Sequence, residues 1–273
     1  MGSYDRKKET MTMAGKAASV AAVTAASETQ ADIKPKTPGE TKIVAVLGDY
    51  YHNPISQEVQ IRNIFFPEKS WRIISVRSNR FFTPELIKDA ELLITSRSSL
   101  PEHIDWNPQG LADSIDKGII LWSDENIETV TDNIKNRGMG FLALHCAIHS
   151  RSEKISDLLG VEPIGHNQVQ PIWVNNLNGE HPITQGIDSF FINLDEQFGC
   201  IIKSSHTTTL FETMAIHDKR IAVGGWCLDS GKGRIVGLLP GHTNDPFGIP
   251  EYRKIIWRSA HWAMKRNIPD YNG

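Results

Sequence analysis

The segment Lys42-Ile-Val-Ala-Val-Leu-Gly48 is apolar without a break from Ile43 to Leu47. Successive residues of a strand point to opposite faces, so such a run needs cover on both sides. That requirement disfavours a sheet with one wet face and points to a buried strand in a parallel sheet. Asn53-Pro54 follows within a short loop and reads as a helix start. The Asn side chain can cap, and Pro is tolerated at the first helical position. The predicted helix, residues 55–66, sets Ile55, Val59, Ile61 and Phe65 on its inner side.

The alternation then repeats. Strands are predicted at 71–76, 90–95 and 140–145. A short helix opens at Thr83-Pro84, and a longer one over 123–137 stops at Gly138. Residues 96–122 are ambiguous and partly loop, and a helix is expected over 147–159. Beyond it strand signals dominate, at 171–174, 190–194, 207–213, 221–228 and 234–239. Asp229-Ser-Gly-Lys-Gly233 reads as the five-residue loop of an antiparallel hairpin. The closing helix, 250–264, places Tyr252, Ile255, Ile256, Ala260 and Ala263 on one face. Strand–helix alternation at this spacing defines an α/β fold with a mainly parallel sheet and an antiparallel C-terminal hairpin.

The 273 residues suffice for one large core. A net charge of −3 without a basic run argues against nucleic acid as a partner. No apolar stretch nears the roughly 20 residues of a membrane span. Cys146, Cys200 and Cys227 form neither a disulfide framework nor a zinc-ribbon pattern, though one bridge stays open. Residues 1–41 stand apart, with a charged start at Asp5-Arg6-Lys7-Lys8, small residues from Ala14 to Ala26 and a polar stretch to Glu40. They read either as an export signal of twin-arginine type lacking the Arg pair, which would make the protein periplasmic, or as a disordered tail on a cytoplasmic one.

Ligands of open parallel sheets bind beyond the carboxyl ends of the strands. Three polar clusters fall there: Gly48-Asp-Tyr-Tyr-His52, His145-Cys146-Ala147 and Gly241-His-Thr-Asn-Asp245. In the second, a buried strand runs into a very tight turn, the geometry that holds one side chain exposed at the sheet edge. Class I glutamine amidotransferases carry their nucleophilic Cys at this elbow. Here His145 takes the position, and Cys146 comes one residue late.

Gly140-Phe-Leu-Ala-Leu-His145 resembles the elbow strand of ThuA-like proteins. So do His181-Pro-Ile-Thr184 with Gly186, the pair Asp195-Glu196, Gly225-Trp226, Gly231-Lys-Gly-Arg234, Gly241-His242 and the closing Trp262-Ala263. These strings run in family order through a domain bounded at 42–267. The resemblance implies a flavodoxin-like three-layer α/β/α sandwich, related to the amidotransferases, and a role in carbohydrate utilisation alongside a sugar dehydrogenase. The chain departs from the family at Gln197-Phe198, where a Tyr is common.

The expected catalytic groups are His145, His242 and Glu196, acting as acids and bases near neutral pH. Tyr51, His52, Asp195, His166 and Trp226 are expected substrate contacts. His52, His145 and His242 are also candidate ligands for a divalent metal of the zinc type, which nothing in the sequence requires. The leading expectation is an enzyme acting on a sugar, glycoside or keto-sugar as a hydrolase, lyase or isomerase. A non-catalytic sugar-binding protein and a hydrolase using Cys146 are the alternatives, and the homo-oligomeric state is open.

Overall fold

β1 (Thr41–Val46) is buried at every position, as its apolar run demands. It pairs in parallel with β2 (Trp71–Val76) and with β3 (Leu92–Thr95), and β3 pairs in parallel with β4 (Gly140–Leu144). The computed structural model describes residues 34–77, 81–98, 123–150 and 152–271. The part of the N-terminal segment before residue 34, and residues 99–122, lie outside this set. The unit beginning at Lys36 carries everything below. Its first residues are tied to the body of the sheet, with Lys36 Nζ bonded to Glu91 at 2.8 Å.

Helices cover both faces. α1 (Pro54–Phe65) supplies Ile61, Ile64 and Phe65 to the layer that also holds Ile43 and Ala45 of β1 and Leu47 just after it. α2 (Pro84–Ile87), α3 (Asp124–Asp132) and α4 (Glu153–Leu159) pack on the other face against Val44 and Val46. Alternate residues of one strand thus feed two cores, the defining property of a three-layer sandwich. Asn53 caps α1, its Oδ1 accepting from Ile55 N at 2.9 Å.

The C-terminal half adds β5 (Val161–His166), β6 (Gln170–Asn175), β7 (Phe190–Asp195), β8 (Phe198–Ile202), β9 (Thr208–Ala215), β10 (Ile221–Ser230) and β11 (Gly233–Leu238), then α5 (Asp245–Gly248) and α6 (Pro250–Ala263). The main sheet has nine strands in the order β2-β1-β3-β4-β11-β10-β9-β6-β7. It is parallel from β2 to β11. From β11 to β7 every pairing is antiparallel, so the antiparallel part extends well past the predicted hairpin. β5 and β8 form a separate two-stranded antiparallel sheet.

Three expectations change in detail. α1 does not bury Ile55 or Val59, which are 41% and 49% exposed. Ile61 lies six residues from Ile55, about a third of a turn out of phase at 3.6 residues per turn, and Val59 lies further round still, so they do not share its inner face. Pro54 and Gln57 take the buried positions of the first turns instead. The helix predicted over 147–159 splits into a 3₁₀ turn, His145–Ile148, and α4. The hairpin turn is shorter than read: Ser230 pairs with Gly233, leaving Gly231-Lys232 as a two-residue loop with Gly231 at φ +59°. The three cysteines are free and buried. Among the described residues no helix is long and apolar enough to cross a membrane.

Candidate functional site

Three turns at the carboxyl edge of the parallel strands bring the site together. After β1, Gly48 turns the chain at φ +70°, and a Cβ there would meet the His52 carbonyl at 2.6 Å. Asp49 and His52 then exchange two backbone hydrogen bonds of 3.1 Å each. His52 Nδ1–H donates to the buried Asp49 Oδ1 at 2.6 Å, which fixes the ring and its tautomer.

After β4 the chain enters the left-handed region at His145, φ +45°. A non-glycine residue there is uncommon and costs roughly 1–3 kcal/mol. The turn aims the imidazole along the sheet edge, where Nδ1–H donates to the Leu239 carbonyl at 2.9 Å. Nε2, left with its lone pair, is buried and has no hydrogen-bond partner among the described residues.

After β11, two anchors hold the loop that carries His242. Tyr252 Oη donates to the Pro240 carbonyl at 2.6 Å. Gly241 N–H and Thr243 N–H donate to Asp195 Oδ2 and Oδ1 at 2.8 and 3.0 Å. Asp195 thus faces inward from the end of β7, and the next residue, Glu196, turns toward the cleft. Glu196 Oε1 pairs with His166 Nδ1 at 2.7 Å. Its Oε2 lies 3.4 Å from His242 Nδ1 and 3.6 Å from His145 Nε2. His242 Nδ1 is also 3.0 Å from His52 Nε2.

A cleft of ≈ 300 Å³ opens in front of these groups, lined by Tyr51, His52, His166, Glu196, Phe198 and His242 together with Cys146 and His149. Phe198 forms its floor, with ring centroids 4.5 Å from His145, 4.5 Å from His149 and 4.9 Å from His166.

The electrostatics separate the histidines. Burial, with the neighbouring His52 next, holds His145 well below the usual imidazole range, so it is neutral. The hydrogen bond to Glu196 raises His242, more than burial lowers it. Burial pushes the Asp195 carboxyl up to about 7, against the backbone donors of Thr243 and Gly241.

His52, His145, His166, His242 and Glu196 therefore meet in one place, and Tyr51 stands at the mouth, 60% exposed. Two expected contacts do not reach it. Trp226 is fully buried and donates Nε1–H to the Leu159 carbonyl at 2.9 Å, so its ring has no face for a sugar. Asp195 is fully buried, and its oxygens are engaged by the His242 loop. Cys146 is also a poor nucleophile. Its thiol is buried and pushed well above its ordinary value by desolvation and then by Asp49. Its sulfur sits 3.8 Å from both ring nitrogens of His52, on the lone-pair axis of neither.

Asp49, His149 and Phe198 were not among the expected site residues. The Asp49–His52 spacing was visible in the sequence as a carboxylate near a strand-end histidine. His149 needed the 3₁₀ turn, and Phe198 needed the small second sheet, in which it pairs with His166.

The chain is a three-layer α/β/α sandwich whose candidate site lies at the carboxyl edge of the parallel strands, with His145 on the tight turn after β4. Residues 43–263 match the ThuA family, described as trehalose utilisation, and the chain belongs to that family. Among solved structures, a ThuA-like protein from Parabacteroides merdae superposes with a TM-score of 0.66 at 14% identity, over 85% of this chain and 92% of that one. A ThuA-like protein from Bacteroides uniformis gives 0.61 at 13% identity, over 84% and 94%. A beta-galactosidase from Bacillus circulans sp. alkalophilus gives 0.54 at 10% identity, over 83% of this chain and 32% of that one. At these identities the likeness concerns the fold. No curated protein matches the chain.

Proposed function

We propose that the chain is an enzyme that moves protons on a sugar, glycoside or keto-sugar. The observation that supports it best is the convergence of His52, His242 and Glu196 from three separate segments on one cleft, with His145 from a fourth buried directly behind them. Neutral His145 offers a basic lone pair at Nε2. His242, raised by its pairing with Glu196, is the better placed of the histidines to deliver a proton. Asp49 holds His52 in one tautomer, the role a buried carboxylate plays beside a catalytic imidazole. Tyr51, exposed at the mouth, offers ring surface to the apolar face of a pyranose. The family's link to trehalose utilisation favours a carbohydrate, and a substrate prepared by a sugar dehydrogenase suits a site built for proton transfer next to a carbonyl.

The test is turnover of a panel of glycosides and their 3-keto forms by wild type, His242→Ala and Glu196→Gln. A positioned acid or base contributes on the order of 10²–10⁴ in rate, so each variant is expected to lose at least 10² in kcat/KM. Turnover unchanged in both variants would refute the assignment. Binding of a sugar by wild type without conversion would favour a sugar-binding protein instead.

A further inference from the structure

The unpartnered Nε2 of His145 points to more than proton transfer. It is buried, and Nδ1–H is committed to the Leu239 carbonyl, so Nε2 must present its lone pair. His52 is in the same state: Nδ1–H is committed to Asp49, so Nε2 presents its lone pair. Imidazoles whose second nitrogens are held by a carboxylate and by a backbone carbonyl are oriented as metal-binding histidines are.

The spacing of the donors fits the same occupant. With zinc–nitrogen and zinc–oxygen bonds of about 2.0–2.1 Å, the ligand–ligand edge of a tetrahedron is about 3.3–3.4 Å. His52 Nε2 to His242 Nδ1 is 3.0 Å, His242 Nδ1 to Glu196 Oε2 is 3.4 Å, and His145 Nε2 to Glu196 Oε2 is 3.6 Å. The three imidazoles offer nitrogens that all lie within 4.8 Å of one another. A hydrogen-bonded cluster explains His52 and His242, which face each other. It leaves His145 Nε2 without a donor, at the cost of a desolvated acceptor.

We propose that His52, His145 and His242, with Glu196 as the fourth donor, bind one divalent transition-metal ion of the zinc class. The inference rests on the same cleft as the proposed sugar chemistry and deepens it. Three nitrogens and one oxygen suit zinc, and exclude magnesium or calcium as the preferred ion, since those take oxygen ligands. Asp49 is then a positioning residue acting through His52. His166, which holds the other oxygen of Glu196, keeps that carboxylate aimed at the cluster.

The experiment uses the full chain without a histidine tag, stripped with a chelator and titrated calorimetrically with Zn2+ and, in parallel, with Co2+. One ion per chain, bound with Kd below about 1 μM, and the ligand-field absorption of tetrahedral Co2+ are expected. His242→Ala, on a loop and half-buried, should weaken binding at least 100-fold. Asp49→Asn should weaken it by about 10–100-fold, as loss of a second-shell partner does. His206→Ala, an exposed histidine away from the cleft, should leave it unchanged. Wild-type affinity weaker than about 10 μM, or binding that survives His242→Ala but falls in His206→Ala, would overturn the inference. The wild-type titration decides the matter even if a variant fails to fold. Tight binding without sugar conversion would leave the metal site standing and refute the enzymatic proposal. Sugar conversion by a chain that binds no metal would do the reverse.

Discussion

Replacing Asp195 by Asn changes one carboxylate oxygen into an amide nitrogen and leaves the volume almost untouched. The native carboxylate accepts from Gly241 N–H at 2.8 Å and from Thr243 N–H at 3.0 Å. Asn has a single acceptor, so one of the two backbone donors would face another donor. A hydrogen bond to a charged group contributes about 1.5–3 kcal/mol, and an unpaired buried donor costs about 1–3 kcal/mol. Gly241 is buried and Thr243 only half-buried, so the favoured amide orientation serves Gly241 and leaves Thr243 to water. That places the cost of Asn near the low end, about 2 kcal/mol. Ala removes both bonds, orphans the buried Gly241 N–H and opens a small cavity, and about 3–4 kcal/mol is expected. Urea unfolding followed by tryptophan fluorescence measures both. At pH 8 a carboxyl held at about 7 by burial is ionised and bears a desolvation penalty that Asn does not, so the cost of Asn should be larger at pH 5 than at pH 8 and is measured at both. The Asn variant should also loosen His242, since Asp195 and Tyr252 are the anchors of its loop. An Asn variant within about 0.5 kcal/mol of wild type would refute the claim that Asp195 holds this loop.

Two further outcomes follow from the packing and the surface. A Cβ at Gly237 would lie 2.2 Å from the ring of Trp226, which is fully buried and tethered to Leu159. Gly237→Ala should therefore destabilise by about 2–3 kcal/mol, read as a lowered thermal midpoint, whereas the same change at Gly179, with open space around it, should not. Glu58 sits below its usual carboxylate range: burial raises it, but the hydrogen bonds from Arg77 and Arg62 outweigh that. A depressed folded value means stability present above the unfolded pKa of about 4.5 and lost as pH falls through the folded one. Glu58→Gln should cost about 1 kcal/mol at pH 7 and progressively less as the pH is lowered below about 4.5, so a gap unchanged on acidification would contradict the pairing.

The strand ends could be read from the sequence because they depend on local, physical signals. An unbroken apolar run fixes a buried parallel strand, and the residue after it must lie at the carboxyl edge. His52, His145 and His242 each follow such a run, and all three meet. Glu196 was distinguishable from Asp195 by strand alternation alone. What failed depended on tertiary context. Val161–His166 contains Pro163 and Gly165, and Phe198–Ile202 contains Gly199, so neither carries a clear strand pattern, yet they pair. That small sheet sets His166 and Phe198 in the cleft, and no periodicity announces it. Trp226 stands beside Gly225, in a segment whose motif resembles that of the family, but its ring points into the core, toward the space left by Gly237.

His145, on the turn after β4, is not placed as a nucleophile would be. A nucleophile must be presented to substrate, yet His145 is 1% exposed and held from behind by Leu239. The left-handed turn at φ +45° carries strain that only a fixed purpose would retain. Gly241 passes close by: a Cβ on it would stand 3.4 Å from the Cβ of His145, so the His242 loop closes over the elbow. What remains accessible to the centre of the cluster is one lone pair of one nitrogen. Such an atom cannot easily attack a bulky substrate, but it can accept a proton or hold an ion. The cysteine that follows it, buried and off the lone-pair axes of His52, supplies neither function. On the proposed reading, His242 and Glu196, which line the cleft, are the groups that meet a substrate, and His145 stands buried behind them.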